Sequence, residues 1–129
     1  MKILIYENLE NGAGYRLEDK IWKTLQQVET LRVHSTSALL YEICRPMCGI
    51  SIVIFFPSGV ENILELIDFE PLFEDLKKIV ILPDNEEESV SLAMQLQPSF
   101  VYHAESDCDR ILVVLSKMIS TIQSYQFTW

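Results

Sequence analysis

Cysteine is scarce in this chain, with Cys44, Cys48 and Cys108 making an odd set that contains no CxxC pair and no histidine at metal-ligand spacing. That excludes a disulfide framework and argues against a zinc site, leaving reduced structural thiols as the reading. Pro46 between Cys44 and Cys48 disfavours a shared ligand geometry further. Positive charge is equally sparse: ten Lys and Arg against nineteen Asp and Glu give a formal net charge of -9. Phosphate backbones and anionic membrane surfaces are recognised by clustered basic residues, so neither nucleic acid nor membrane is an expected partner. No apolar run approaches the roughly 20 residues of a transmembrane helix. The opening MKILIYENLE turns acidic too early for a signal peptide, which makes the cytoplasm the expected compartment.

What remains is ordinary globular material, 49% hydrophobic and 22% charged, without internal repeat, linker or low-complexity tract. At this length one core suffices, burying roughly two-thirds of the unfolded surface, so residues 1–129 are expected to form one α/β domain.

Strands and helices alternate along the chain. KILIY, residues 2–6, is a continuous apolar run such as a strand buried on both faces presents. Asn11, Gly12 and Gly14 then mark a turn, and Leu17, Ile21, Trp22, Leu25 and Val28 recur at helical spacing. Leu31 to His34 leans to strand, Ser35, Thr36 and Ser37 offer N-cap oxygens to a second helix through Cys44, and Pro46 and Gly49 close it. ISIVIFF, residues 50–56, has the composition of a central strand and stops at Pro57. Val60 to Ile67 supplies a third helix, broken by Pro71 before a last turn with Leu72, Phe73 and Leu76.

Ile79 to Leu82 reads as a fourth strand, followed by the acidic run 84–88, whose carboxylates suit a helix start. Val90, Ala93 and Leu96 face inward from that helix, Phe100 to His103 makes a fifth strand, and Asp107 and Asp109 open a final apolar-faced helix. Five such units imply right-handed crossovers and a doubly wound five-stranded parallel sheet.

This order, with an acidic residue closing the first strand and a proline-glycine turn closing the third, resembles the receiver domain of bacterial response regulators, the CheY-like family. The match spans nearly the whole chain and is most specific over KIVILPDNEEESVSLAMQLQPSFVYHAESDCDRILVVLSKMI. The resemblance implies the flavodoxin-like strand order 2-1-3-4-5, with a site at the carboxyl ends of the strands. A working receiver holds Mg2+ on an acidic pair after strand one and accepts phosphate on an Asp ending strand three. A hydroxyl residue after strand four and a Lys after strand five complete the site.

Here the corresponding pocket is degenerate. Glu7 and Asn8 stand for the acidic pair, and Phe55 falls at the acceptor position within a run, residues 53–56, that has no Asp in any register. Pro83, followed by Asp84, replaces the hydroxyl residue, and His103 replaces the Lys. The resemblance thus implies a pseudo-receiver without phosphoryl transfer, and no catalytic constellation, cofactor or metal is expected.

A sharper reading would have Glu7, Asp84 and His103 converge on a cation or in acid-base chemistry, so that the crevice serves a small ligand, a metal or an enzymatic reaction. A hard Mg2+ site without a second acid is short of charge. The plainer reading makes Glu7 and Asp84 solvated or capping residues and has His103 donate to a backbone carbonyl. Flavin is disfavoured because ENLENGAGYR offers no serine or threonine for a phosphate. His34, Ser35 and Thr36 lack a G-x-S-x-G elbow and read as a helix cap.

Finally, Met94, Tyr102, Met118, Tyr125, Phe127 and Trp129 gather adaptable and aromatic groups in the last third of the chain. Receivers commonly pair through the fourth helix, fifth strand and fifth helix. The resemblance therefore implies a protein partner or homodimer on that face, with the aromatic tail packing either in cis or in trans. The expected function is a phosphorylation-independent, receiver-like interaction module in bacterial signalling or regulation, and not an enzyme.

Overall fold

Residue parity divides the sheet into two faces. The computed structural model describes residues 1–8, 12–25, 27–103 and 108–126, with side chains as far as Gln123. In β1 (Lys2–Glu7), Ile3 and Ile5 enter one core while Leu4 and Tyr6 enter the other. β3 (Ile50–Phe56) repeats this with Ile52 and Ile54 against Val53 and Phe55, and β4 (Lys77–Leu82) with Ile79 and Ile81 against Val80 and Leu82. These runs contain no polar alternation because both faces are buried. With β2 (Glu29–Val33) and β5 (Phe100–His103) at the edges, the order is β2-β1-β3-β4-β5, every pair parallel.

The isoleucine face packs against α1 (Ala13–Thr24) and α5 (Cys108–Gln126) through Leu17, Ile21, Ile111, Leu115 and Ile119. The other face receives α2 (Thr36–Cys44), α3 (Val60–Ile67), a 3-10 turn (Glu70–Phe73) and α4 (Glu87–Met94). They contribute Leu39, Ile63, Leu66, Phe73 and Ala93 to the second core. This is the doubly wound sheet that the alternation of elements predicts, in the flavodoxin-like order that the resemblance implies.

Three local differences from the sequence reading have physical causes. Trp22 is 72% exposed, because one residue beyond the buried Ile21 turns about 100° around a helix of 3.6 residues per turn. α1 stops at Thr24, and Val28 is buried from the connection to β2, not from the helix. β4 begins at Lys77, before its apolar run, since Lys78 is buried with its ammonium donating to the Phe73 carbonyl at 3.1 Å and lying 3.7 Å from Glu70. A lysine so paired continues a strand that hydropathy alone cuts short. No described helix is long and apolar enough to cross a membrane.

Candidate functional site

The carboxyl ends of β1, β3, β4 and β5 meet at one edge of the sheet. Glu7 closes β1 and is only 1% exposed. Parity turns it to the side of Ile3 and Ile5, toward α1, where its Oε2 accepts a hydrogen bond from the Gly14 amide at 2.7 Å. That amide belongs to the first turn of α1, whose N–H groups lack partners within the helix. The same turn carries the positive end of the helix dipole, so an anionic cap is favoured there. A Cβ on Gly14 would lie 3.1 Å from three atoms of the Glu7 carboxyl group, so glycine is what lets the two elements approach. Gly12, at φ 89, supplies the left-handed turn into the helix. Glu7 is therefore a cap, as one reading has it, but a buried cap and not a solvated one.

Asn8 donates from Nδ2 to Ser58 Oγ at 2.8 Å. The Ser58 amide donates to Asn62 Oδ1 at 3.0 Å, and Asn62 Nδ2 donates to the Tyr6 hydroxyl at 2.8 Å. Asn62 is buried, and this polar chain ties the end of β1 to the start of α3. Sequence reasoning missed Tyr6, Ser58 and Asn62. The available signal was an amide four residues after a serine, at the mouth of a helix that otherwise presents an apolar stripe.

Phe55 does not stand in the crevice. It is fully buried on the opposite face, with ring centroids 6.2 Å from Tyr6 and 5.4 Å from Phe73. Phe56 pairs with Glu7 in the ladder and reaches the crevice, lining a cavity of about 40 Å³ with Arg16, Leu17, Ile81 and His103. The register slips by one because two adjacent phenylalanines give hydropathy no parity to read.

Pro83 is exposed just beyond β4, and Asp84 Oδ1 accepts from the Glu86 amide at 3.1 Å, the turn preceding α4. His103 Nδ1 lies 3.0 Å from the Asp84 carbonyl oxygen. A carbonyl only accepts, so Nδ1 carries the proton and donates, as the plainer reading of His103 expects. His34 makes the corresponding bond to the Glu7 carbonyl at 3.1 Å, and Ser35 Oγ caps α2 by accepting from Ala38 N at 3.1 Å. Asp84 and His103 thus meet through a main-chain oxygen, while Glu7 points into α1. Among the described residues no three His, Cys, Asp or Glu side chains are grouped so as to hold a metal ion.

On the flank formed by α4, β5 and α5, Met94 is 56% and Phe100 42% exposed. Phe100 stacks on Tyr102, with centroids 6.2 Å apart and planes inclined by 19°. Tyr102 and Met118 are half-buried and packed against the isoleucine-rich core. Met118 thus serves that core at least as much as the surface, and Phe100 is the surface aromatic that sequence reasoning left out. The side chains of Tyr125, Phe127 and Trp129 lie outside the described residues.

No family model and no curated protein matches the chain. Solved structures do. The signal receiver domain of a putative LuxO repressor protein from Vibrio parahaemolyticus superposes with a TM-score of 0.75 at 9% identity, covering 97% of this chain and 94% of that one. A CheY-like response regulator receiver domain protein from Methanospirillum hungatei gives 0.70 at 13% identity, covering 96% and 97%. A CheY-like response regulator protein from Mesorhizobium loti gives 0.66 at 13% identity, covering 89% and 95%. At such identities the likeness establishes the fold, and the chain has the five-stranded CheY-like fold of receiver domains, with Glu7, Phe56, Asp84 and His103 around the carboxyl edge of its sheet.

Proposed function

We propose that the chain is a receiver-like protein-interaction module that acts in signalling or regulation without being phosphorylated and without catalysing a reaction. The observation that carries this reading is the pairing of Phe56 with Glu7 at the end of β3. A phenyl ring stands beside the one acidic side chain that ends β1, and that acid is already engaged with α1. Among the described residues, neither an acceptor carboxylate nor a free acidic pair is on hand for a phosphoryl group and its Mg2+. Incubation with acetyl phosphate and Mg2+ should leave the intact mass unchanged. A stable mass increase, or a beryllofluoride-dependent change in the amide spectrum around Phe56, would overturn the proposal.

The partner surface, on this reading, is the flank of α4, β5 and α5. Three features support it: β5 is an edge strand, Met94 and Phe100 are exposed there, and aromatic and methionine side chains commonly anchor protein contacts. The occupant is a protein, either a second copy or another chain. The paired substitution Met94→Gln and Phe100→Thr keeps helix and strand preferences while removing the apolar contact. Association measured by light scattering, or by titration with a captured partner, should weaken by tenfold or more, about 1.4 kcal/mol. The melting temperature should hold, because exposed substitutions usually fall within about 0.5 kcal/mol. Unchanged association would remove this flank from consideration.

A further inference from the structure

Charge is not spread evenly over this fold. α1 and α5 together carry five basic residues, Arg16, Lys20, Lys23, Arg110 and Lys117, against three acidic ones, Glu18, Asp19 and Asp109. The rest of the chain holds five basic residues and sixteen acidic ones. All three acids of the two helices are engaged: Glu18 with Arg32 at 2.8 Å, Asp19 with Lys23 at 2.9 Å, and Asp109 with Lys20 at 3.4 Å. Arg16, Arg110 and Lys117 are exposed, and among the described residues they pair with no carboxylate. A protein of net charge -9 thus has one helix layer of positive sign.

Between these helices runs a groove, bridged near the start of α5 by the Lys20–Asp109 pair. Beyond the bridge, Leu25, Leu112 and the half-exposed Val113 floor a lobe of about 520 Å³ walled by Thr24, Ser116 and Lys117. A second lobe of about 350 Å³ continues past Ile119 and Ser120. Arg110 precedes Val113 by three residues and Lys117 follows it by four, so both cations share its face of α5. Lys20 stands in the same relation to Thr24 on α1. From Asp109 to Ser120 the groove follows α5 for about 16.5 Å at 1.5 Å per residue, enough for three turns of a helix laid alongside.

We propose that this groove docks an acidic amphipathic helix of a partner protein. Sign selects that occupant first: carboxylates flanking the apolar stripe of such a helix would meet Lys20 on one side and Arg110 and Lys117 on the other. Shape selects it next, because an apolar floor between small hydroxyl-bearing walls accepts anchors spaced i, i+3, i+4 and i+7. The alternatives fit less well. A nucleic-acid backbone would leave Leu112 and Val113 uncovered, and a second copy meeting this layer about a two-fold axis would set positive charge against positive charge. The groove lies on the α1 side of α5, away from Met94 and Phe100, and its role stands without the α4 flank.

A display library of helix-forming 15-residue peptides, apolar at i, i+3, i+4 and i+7 and randomised elsewhere, tests the proposal with the full chain as bait. Enriched peptides should carry an excess of Asp and Glu beside the apolar stripe, and their affinity should fall as salt is added. For the tightest of them, Arg110→Glu combined with Lys117→Glu should weaken binding tenfold or more. Ser116→Arg, which blocks the groove while adding a positive charge, should weaken it as much. Both variants should retain the far-ultraviolet circular dichroism of the parent. Met94→Gln with Phe100→Thr should leave peptide affinity unchanged, which separates this site from the α4 flank. Enrichment of no peptide, or of peptides without acidic excess, overturns the proposal. So does binding that both groove variants leave intact, or that Ser116→Arg strengthens, since charge alone would then be the attraction. Self-association that the same substitutions abolish would assign the groove to a second copy, and tighter binding of a mixed-sequence single-stranded DNA than of any peptide would assign the layer to nucleic acid; either result overturns it too.

Discussion

Replacing Phe55 by aspartate should cost more than about 4 kcal/mol, because truncating a buried phenylalanine costs about 3–5 kcal/mol and an unsatisfied buried polar group about 1–3 more, even with the carboxyl protonated. That is comparable with the whole stability of a small domain, so the variant should be largely unfolded at room temperature. The ring it removes is fully buried between Tyr6 and Phe73, in the core to which α3, α4 and the 3-10 turn contribute apolar side chains. The same change at Phe56 should cost far less, roughly 1–3 kcal/mol, since that side chain is half-buried beside Arg16 and His103, which can solvate a carboxylate. Thermal unfolding of the two variants, followed by circular dichroism, compares neighbours that differ only in parity. Equal melting temperatures would show that the crevice register assigned to Phe56 is mistaken.

The contrast between those neighbours also shows what a sequence can and cannot convey. KILIY and ISIVIFF announce strands buried on both faces, and the helices between them fix a doubly wound sheet, because only one handedness of crossover packs back onto it. Ser35 was legible as a cap, and its Oγ does accept from Ala38 N. Within an all-apolar run, however, hydropathy is silent about which residue faces which helix. Phe55 and Phe56 could be told apart only from the ladder, where Glu7 pairs with Phe56. Lys78 was illegible for a related reason: its burial depends on the Phe73 carbonyl and on Glu70, acceptors carried by a turn that the sequence shows only as a proline break. Trp22 was misplaced because large aromatic residues are read as core, whereas here a neighbour, Ile21, already fills the inward position.

At the candidate site, residue types were legible and their commitments were not. Glu7 stood out as an acid ending a strand, but whether that acid is open to a cation depends on Gly14, seven residues away and across a turn. His103 is comparable. Its side chain is positioned by the main chain of Asp84, so no spacing rule for side chains could have linked the two.

The Glu7–Gly14 contact yields the second large expected effect, best read as a double-mutant cycle. Glu7→Ala removes a buried acceptor from the Gly14 amide and should cost about 1.5–3 kcal/mol, the range for hydrogen bonds to charged groups. Gly14→Ala alone should also destabilise, although alanine is favoured over glycine within helices by about 0.5–1 kcal/mol. Its new Cβ would press at 3.1 Å on a carboxyl group that is buried and held in place, and so cannot swing aside. Once Glu7 is alanine the obstruction is gone, and Gly14→Ala should become stabilising by its ordinary helix preference. The sign of one substitution therefore reverses with the identity of the other, a coupling that denaturant unfolding of the four proteins can measure. Glu7→Gln keeps an oxygen acceptor of the same shape and should recover part of the loss, roughly half if the charge strengthens the bond about twofold. Such a cycle would mean that Glu7 can serve a cation only by releasing the first turn of α1, at a cost no bound metal has to meet where the acid is free. If Gly14→Ala has the same sign and size with and without Glu7, the carboxylate is not what holds that turn, and the acid at the end of β1 is available for other chemistry.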